Sequence, residues 1–341
     1  MDPIAALDRI AYRLETELAP TYRVRAFRSA SATLRKLDPP ELARRVEEGR
    51  LRDLAGIGEV TETVIREALA GEVPAYLAKL DAEFEETVRA RDPIGDAIRQ
   101  ALRGDCHTHS DWSDGGSPID VMAEAGRSLG HEYMVLTDHS PRLTVAHGLT
   151  PERLLEQLDV VARLADELAP FRLLTGIEVD INEDGSLDQD EALLSRLDVV
   201  VASVHSKLRM AAPEMTRRMV TAVRNPHVDI LGHCTGRKLV GRGRPESTFD
   251  AGKVFAACAE TGTAVEINCR PERLDPPLRL LGQAVEAGCL FSIDTDAHAP
   301  GQLEWQTNGC IRAAKCDVPV ERIVNTRAAG ELLAWAGRDQ G

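Results

Sequence analysis

The chain has 341 residues, of which 43% are hydrophobic and 28% charged, with a formal net charge of −14. This composition excludes a mainly disordered chain, a collagen and a coiled-coil rod. At ~100–200 residues per domain, the length predicts two domains.

From the N-terminus, residues 4–19 and 21–37 place apolar side chains at helical spacing, the second stretch with Arg23, Arg25 and Arg28 near its start. Asp38-Pro39-Pro40 breaks the pattern, and 41–49 predicts a short helix. Leu54-Ala55-Gly56-Ile57-Gly58 then leads into helices over 59–69 and 74–90. Residues 1–90 therefore read as an all-α unit. Its net charge is only −3, and residues 20–52 carry a local +5, against −11 for the rest of the chain. That basic stretch could meet a polyanion.

Residues 91–102, with Asp92-Pro93, read as a linker. Beyond it, apolar runs at 103–109, 132–138, 171–179, 197–205, 228–233, 263–268 and 289–296 alternate with helical patterns. The helices are expected at 118–129, 150–168, 187–195, 213–223, 249–261, 276–287 and 319–337. The fold class is α/β, and a closed seven-stranded β/α barrel over 103–337 is its economical form. No apolar run approaches the ~20 residues of a membrane span, and the Met1-Asp2-Pro3 start shows no basic, apolar leader. Seven cysteines without a C-x-x-C spacing predict reduced thiols and a cytoplasmic protein.

The histidines carry the chemical signal. Six of nine fall at or just past a predicted strand end: His107, His109, His139, His205, His233 and His298. Asp114, Glu178 and Asp296 sit in equivalent places. A single buried histidine is usually a hydrogen-bonded core residue. Strand C-termini of a β/α barrel converge on one mouth, however, so these nine side chains would meet there. His107/His109 and Asp296/His298 are i, i+2 pairs, which share one face of a strand. Nine donors are too many for one tetrahedral ion, and the imidazole–carboxylate mixture favours Zn, Mn or Fe. His131, His147 and His227 fall outside the pattern and read as structural, and Cys234 reads as packing.

The runs Gly104-Asp105-Cys106-His107-Thr108-His109-Ser110, Ser113-Asp114-Gly115, Leu136-Thr137-Asp138-His139-Ser140, Gly176-Ile177-Glu178-Val179-Asp180-Ile181, Ser203-Val204-His205-Ser206, Asp229-Ile230-Leu231-Gly232-His233, Glu266-Ile267-Asn268 and Asp294-Thr295-Asp296-Ala297-His298 resemble the successive motifs of the polymerase and histidinol phosphatase (PHP) family. The likeness is particular to the C-terminal PHP domain of bacterial family-X DNA polymerases. It implies a distorted seven-stranded barrel with three divalent ions. His107, His109, Glu178 and Asp296 would hold one; Glu178, His205 and His233 a second; Asp114, His139 and His298 a third. His107, His109, Glu178 and Asp296 would also be the catalytic set, hydrolysing a phosphoester through a metal-bridged hydroxide. Lys207, Arg209, Arg237, Lys238, Arg242 and Arg244, in loops after strands, are candidates for binding phosphate, with Arg270 and Arg273 less supported. Asp180 could orient a ligand.

Residues 1–90, through Tyr22-Arg23-Val24-Arg25-Ala26-Phe27-Arg28-Ser29-Ala30 and the Gly56–Gly58 turn, resemble the N-terminal helix-hairpin-helix domain of family-X polymerases. Arg23, Arg25, Arg28, Gly56 and Gly58 are the expected DNA contacts. Val60 and Val64 stand where lyase members carry lysines, so no Schiff-base chemistry is expected. Residues 91–102 are too short for a polymerase palm, so no nucleotide addition is expected. The expected activity is 3′-5′ exonuclease or 3′-end processing of DNA in repair. The alternative is a small-molecule phosphomonoesterase acting on histidinol phosphate or a nucleotide. An amidohydrolase and a DNA-binding scaffold are weaker alternatives: no bridging lysine sits at a strand end, and the ligand set is intact.

Overall fold

The computed structural model describes residues 1–337. The chain divides between Asp92 and Pro93 into two compact units. The first contains α1 (Pro3–Thr16), α2 (Thr21–Leu34), α3 (Pro39–Glu47), α4 (Glu59–Leu69) and α5 (Ala75–Ala90). Asp2 and Asp38 cap α1 and α3 through their carboxylates, each followed by a proline whose missing N–H costs nothing at a helix start. Leu7, Ile10, Leu14, Phe27, Leu34, Ile57, Ile65 and Leu77 form its buried core.

The second unit begins with a short helix, α6 (Asp96–Ala101). Residues 91–102, expected as a linker, therefore contain structure. Gly95 lies so close to the backbone of α13 (described below) that an added Cβ would come within 2.6 Å of the Ile311 nitrogen.

Seven strands follow: β1 (Gly104–Thr108), β2 (Tyr133–Leu136), β3 (Arg172–Asp180), β4 (Val199–Ser203), β5 (Ile230–Leu231), β6 (Ala264–Asn268) and β7 (Leu290–Asp294). They pair in sequence order, all parallel. The barrel is nearly closed. Between β1 and β7 only the Thr108–Ala297 bridge and the His109 N–H to Ala297 carbonyl bond (2.8 Å) join backbone to backbone. Carboxylates complete the seam: Asp294 accepts from the Cys106 N–H (2.8 Å), and Asp105 accepts from the Thr295 hydroxyl (2.5 Å).

The strands show the alternation of period two. Cys106, Tyr133, Val135, Leu174, Val199, Val201, Ile230 and Ala264 share one apolar cluster with Leu332 and Leu333. Met134, Leu136 and Leu173 join a second cluster with Ile119 and Met122 of α7 (Ile119–Ser128) and Val161 of α8 (Pro151–Leu168). Gly176 is needed on β3, since a Cβ would come within 2.7 Å of Val135 and 2.8 Å of the Val199 carbonyl.

The remaining helices are α9 (Glu191–Leu194), α10 (Ala212–Val223), α11 (Ala251–Thr261), α12 (Leu278–Glu286), α13 (Gln306–Lys315) and α14 (Ala329–Trp335). Two expectations are corrected here. Residues 306–315 form a helix that the sequence reading left out. The single helix expected over 319–337 is two 3₁₀ turns followed by α14. Asn325 explains the break: fully buried, its amide donates to the Gly104 and Ile293 carbonyls and accepts from the Ile293 N–H. No helix among the described residues is long and apolar enough to cross a membrane.

Candidate metal centre

Glu178, near the end of β3, is 1% exposed and lies between two sets of histidines. Its Oε1 is 2.9 Å from His233 Nε2 and 3.2 Å from His205 Nε2. Its Oε2 is 2.8 Å from His139 Nδ1, 3.4 Å from His107 Nε2 and 3.7 Å from His109 Nε2. Neither oxygen has a hydrogen-bond partner, nor do His107 Nε2 or either ring nitrogen of His109 and His205. Burying polar atoms unpaired is costly, and a native site tolerates it where something else binds them. Imidazole nitrogens facing carboxylate oxygens are a donor set for Zn, Mn or Fe.

Two further carboxylates complete the cup. Asp114 Oδ1 is 3.4 Å from His139 Nε2 and 3.2 Å from His298 Nε2. Asp296 Oδ1 is 3.5 Å from both His109 Nε2 and His298 Nδ1. Asp296 has φ 53°, a left-handed conformation that costs energy for a residue with a side chain and clusters at functional sites. Three overlapping groups could each hold an ion: His109/Asp114/His139/His298, His107/His109/Glu178 and His139/Glu178/His205. The structure thus brings all nine sequence-predicted ligands together. It also gives His109 and His139 contacts with two of the three groups.

The electrostatics follow from burial and mutual proximity. Burial opposes ionisation of Glu178 and Asp296, yet the histidines around Glu178, and Arg270 with His109 beside Asp296, hold both well below the usual carboxylate range. His205 would be lowered by burial, but Glu178 and Asp180 lift it to about 9. His109 goes the other way, driven well down by burial and then by His298 and His139. Protons and a divalent cation compete for these lone pairs.

A second tier of side chains orients the ligands. Glu266, fully buried on β6, approaches His107 Nδ1 at 2.6 Å and accepts from the His233 N–H at 2.5 Å. With His107 Nδ1–H donating to Glu266, the Nε2 lone pair of His107 faces the cup. Sequence alone gives Glu266 no role, because a lone carboxylate on a buried strand does not announce what it faces. Asp138 accepts from Ser110 N–H (2.8 Å), Ser110 Oγ (2.6 Å), Ser113 Oγ (2.5 Å) and Gln157 (2.7 Å), pinning the loop that presents Asp114. Asp180 accepts from the His205 N–H (3.2 Å) and lies 3.6 Å from His205 Nδ1. Asp180, Asn182, Asp184, Gly185 and Glu191 have the spacing of a calcium loop. Here Arg142 pairs with this loop, donating to Asn182 Oδ1 (2.7 Å) with Nε 3.4 Å from Asp180.

The cup opens into a cavity of about 210 Å³ lined by Asp114, His139, Leu143, His205, Lys238, Arg270, Glu272, Arg273, Asp296 and His298. Its cations are Lys238, one of the first-named phosphate candidates, with Arg270 and Arg273. Lys207, Arg209 and Arg242 are exposed and outside this lining. Arg237 donates to the Arg273 carbonyl (2.8 Å) and to the Leu274 carbonyl, and Arg244 to the Gly236 carbonyl (2.6 Å). Both are spent on bracing loops. Arg273 is held with Nε 3.3 Å from Asp296, while its buried Nη1 has no partner. Cys234 is buried, its thiol near Asp275.

In the helical unit, Gly56 turns at φ 83° with a Cβ position 3.2 Å from Ser29, so only glycine fits without strain. The Gly58 N–H donates to Thr61 Oγ1 (2.9 Å) at the start of α4, where Glu59 and Glu62 add negative charge. Arg28 forms a two-pronged bond to the buried Glu15 (2.9 Å each), and Arg23 donates to Tyr76 (2.6 Å). These two expected DNA contacts are therefore engaged inside the unit. Arg25 is exposed and lines a shallow cavity with Thr21, Tyr22, Ala26, Ser29 and Gly56. Val60 is 51% exposed and Val64 buried.

Residues 105–269 match the PHP domain family. Fold, donor set and family define the class: the chain belongs to the PHP family and is a metal-dependent phosphoesterase. It is 40% identical over 267 residues to the DNA polymerase/3′-5′ exonuclease PolX of Bacillus subtilis (strain 168), a match covering 77% of this chain and 46% of that protein. The chain thus spans about half the length of that relative. It is 30% identical over 205 residues to a "Probable phosphatase" of Thermoanaerobacter sp. (strain X514), covering 57% and 78% of the two chains. Among solved structures, the histidinol phosphate phosphatase of Lactococcus lactis subsp. lactis Il1403, complexed with Zn, L-histidinol and phosphate, matches with TM-score 0.44 and 18% identity. That match covers 62% of this chain and 94% of that one.

Proposed function

We propose that the chain hydrolyses phosphoesters at DNA 3′ ends, as a 3′-5′ exonuclease or end-processing enzyme in repair, with three divalent ions (Zn, Mn or Fe) in the cup. The observation that carries the reading is Glu178, whose two buried, unpartnered oxygens each face a separate set of histidines. His107, His109, Glu178 and Asp296 would hold one ion, Glu178 with His205 and His233 a second, and Asp114, His139 and His298 a third. Bound divalent ions supply Lewis acidity toward a phosphoryl group and lower the pKa of water. The chain's own part is positional. Glu266 and Asp180 aim His107 and His205, and Asp138 sets the Asp114 loop. The free Nη1 of Arg273 suits a non-bridging phosphoryl oxygen.

The likeness to PolX supports DNA as the substrate, with Arg25 and the Gly56–Gly58 turn of the helical unit as contacts. The proposal includes neither nucleotide addition nor Schiff-base lyase chemistry, for Val60 and Val64 offer no amine. A second reading, a phosphomonoesterase of small molecules, is favoured by the cavity's size of about 210 Å³ and the likeness to the Thermoanaerobacter protein. Oligonucleotides bearing a 5′ label and a panel of phosphomonoesters, each with Mn²⁺, Zn²⁺ or Mg²⁺, separate the two. Stepwise shortening from the 3′ end is expected. Turnover of monoesters alone establishes the second reading, and turnover of neither overturns both.

A further inference from the structure

We propose that the mouth of the cup carries an apolar rim, Val145 on one loop with Leu239 and Val240 on another, that receives the nucleobase of a nucleotidic substrate. The proposal rests on the phosphoesterase reading and names its substrate class. Two loops contribute to the lining of the cavity: the loop after β2 through His139 and Leu143, and the loop after β5 through Lys238. Within two residues of Leu143 or Lys238, each loop turns large apolar side chains to solvent. Val145 is 86% exposed, and Leu239 and Val240 are 51% and 49% exposed.

Scattered exposed apolar residues are ordinary. These are held in place. The Val145 loop is a 3₁₀ turn tied back by the Ala146 N–H to Leu143 carbonyl bond (3.0 Å) and by the Leu149 N–H to His139 carbonyl bond (2.7 Å), with Ala146 buried beneath. The other loop is a hairpin. Lys238 and Arg244 exchange backbone bonds of 2.9 Å, and the Leu239 N–H donates to Glu272, itself part of the cavity, at 2.6 Å. Gly241 and Gly243, at φ 68° and 63°, turn its tip.

The chemistry of the hairpin names the occupant. Lys238 and Arg242 flank the two apolar side chains, so the rim offers apolar contact beside positive charge. A nucleotide presents the matching pair, a flat base and a phosphate. A polyol phosphate has no apolar face to offer.

The test compares thymidine 5′-monophosphate, an oligo(dT) with a free 3′ end and glycerol phosphate as substrates of the parent and of V145S/L239S/V240S, with metal content and thermal melting as folding controls. The parent should favour the nucleotidic substrates in kcat/KM. The triple variant should lose at least fivefold of that preference, mainly through KM, at the parent's metal content. An unchanged preference, or a parent that prefers none, overturns the rim. Calorimetric binding of thymidine monophosphate keeps the two failures apart. If the parent hydrolyses no phosphoester, the functional reading fails, and the rim is then decided by binding: fivefold weaker in the variant supports it, equal binding overturns it. A variant that changes only self-association in sedimentation assigns the rim to a second copy and also overturns it.

Discussion

The barrel mouth and the helical unit treat their charged groups in opposite ways. In the helical unit most arginines, Arg25 apart, are satisfied internally: Arg28 by Glu15, Arg35 by Asp8, Arg44 and Arg45 by Glu41, and Arg52 and Arg66 by Glu62. In the cup, Glu178, His107, His109 and His205 crowd together with ring and carboxylate atoms left unpaired. A basic stretch in a sequence therefore says little until its partners are known. Buried donors without partners say much more, because a fold gains nothing by making them.

The sharpest way to break this contrast is at the cup. His107→Ala removes a group that faces Glu178 while Glu266 holds its far nitrogen. Activity on any phosphoester should fall about a thousandfold, on the scale seen when catalytic charge stabilisation is lost. Retention of more than a tenth of the activity would remove the cup from the chemistry.

The corresponding test in the helical unit pairs Arg28→Glu with Arg25→Glu. Glu15 is 4% exposed, so reversing its partner should destabilise the unit by roughly 3 kcal/mol. Arg25 is exposed, and its reversal should change stability by less than about 0.5 kcal/mol while weakening DNA binding severalfold. Chemical denaturation and fluorescence anisotropy read the two effects; equal destabilisation would contradict the assignment.

A histidine outside the cup provides a further control. Burial, with Arg99 nearby, holds His131 down to about 4 from its usual 6.5. The unfolded chain then binds a proton that the folded chain refuses. The stability contributed by neutral His131 is full above pH 6.5 and is lost as pH falls toward 4, to an extent of roughly 3 kcal/mol. Thermal melts at pH 7.5 and 4.5 should show a smaller acid loss in His131→Gln than in the parent.

The most graded effect is expected at Glu266→Gln. The amide keeps the shape but weakens the bond that orients His107, so metal affinity should fall ten- to a hundredfold with the fold intact. Competition with a chromophoric chelator measures this directly, and an unchanged affinity would make Glu266 merely structural.

The ligands were legible in the sequence because strand ends in a β/α barrel converge, so position along the chain already implies position in space. His107 through His298 could be read that way. Glu266 could not, since a carboxylate on a fully buried strand is visible but its target lies 159 residues away in sequence. Arg237 shows the converse. It follows a ligand and carries the right charge, yet the carbonyls of Arg273 and Leu274 capture it. The strands were read to within a few residues from their apolar runs. The segment after β7 was not, because Asn325 interrupts a helical pattern to tie β1 to β7, a contact 221 residues away in sequence.

Glu178 joins the two histidine sets of the cup through its two oxygens. The decisive measurement is metal content per chain of the parent and of Glu178→Gln, by plasma mass spectrometry after equilibration with Mn²⁺ or Zn²⁺. Two or more ions are expected in the parent and at most one in a folded variant; equal stoichiometry in both would refute a shared Glu178.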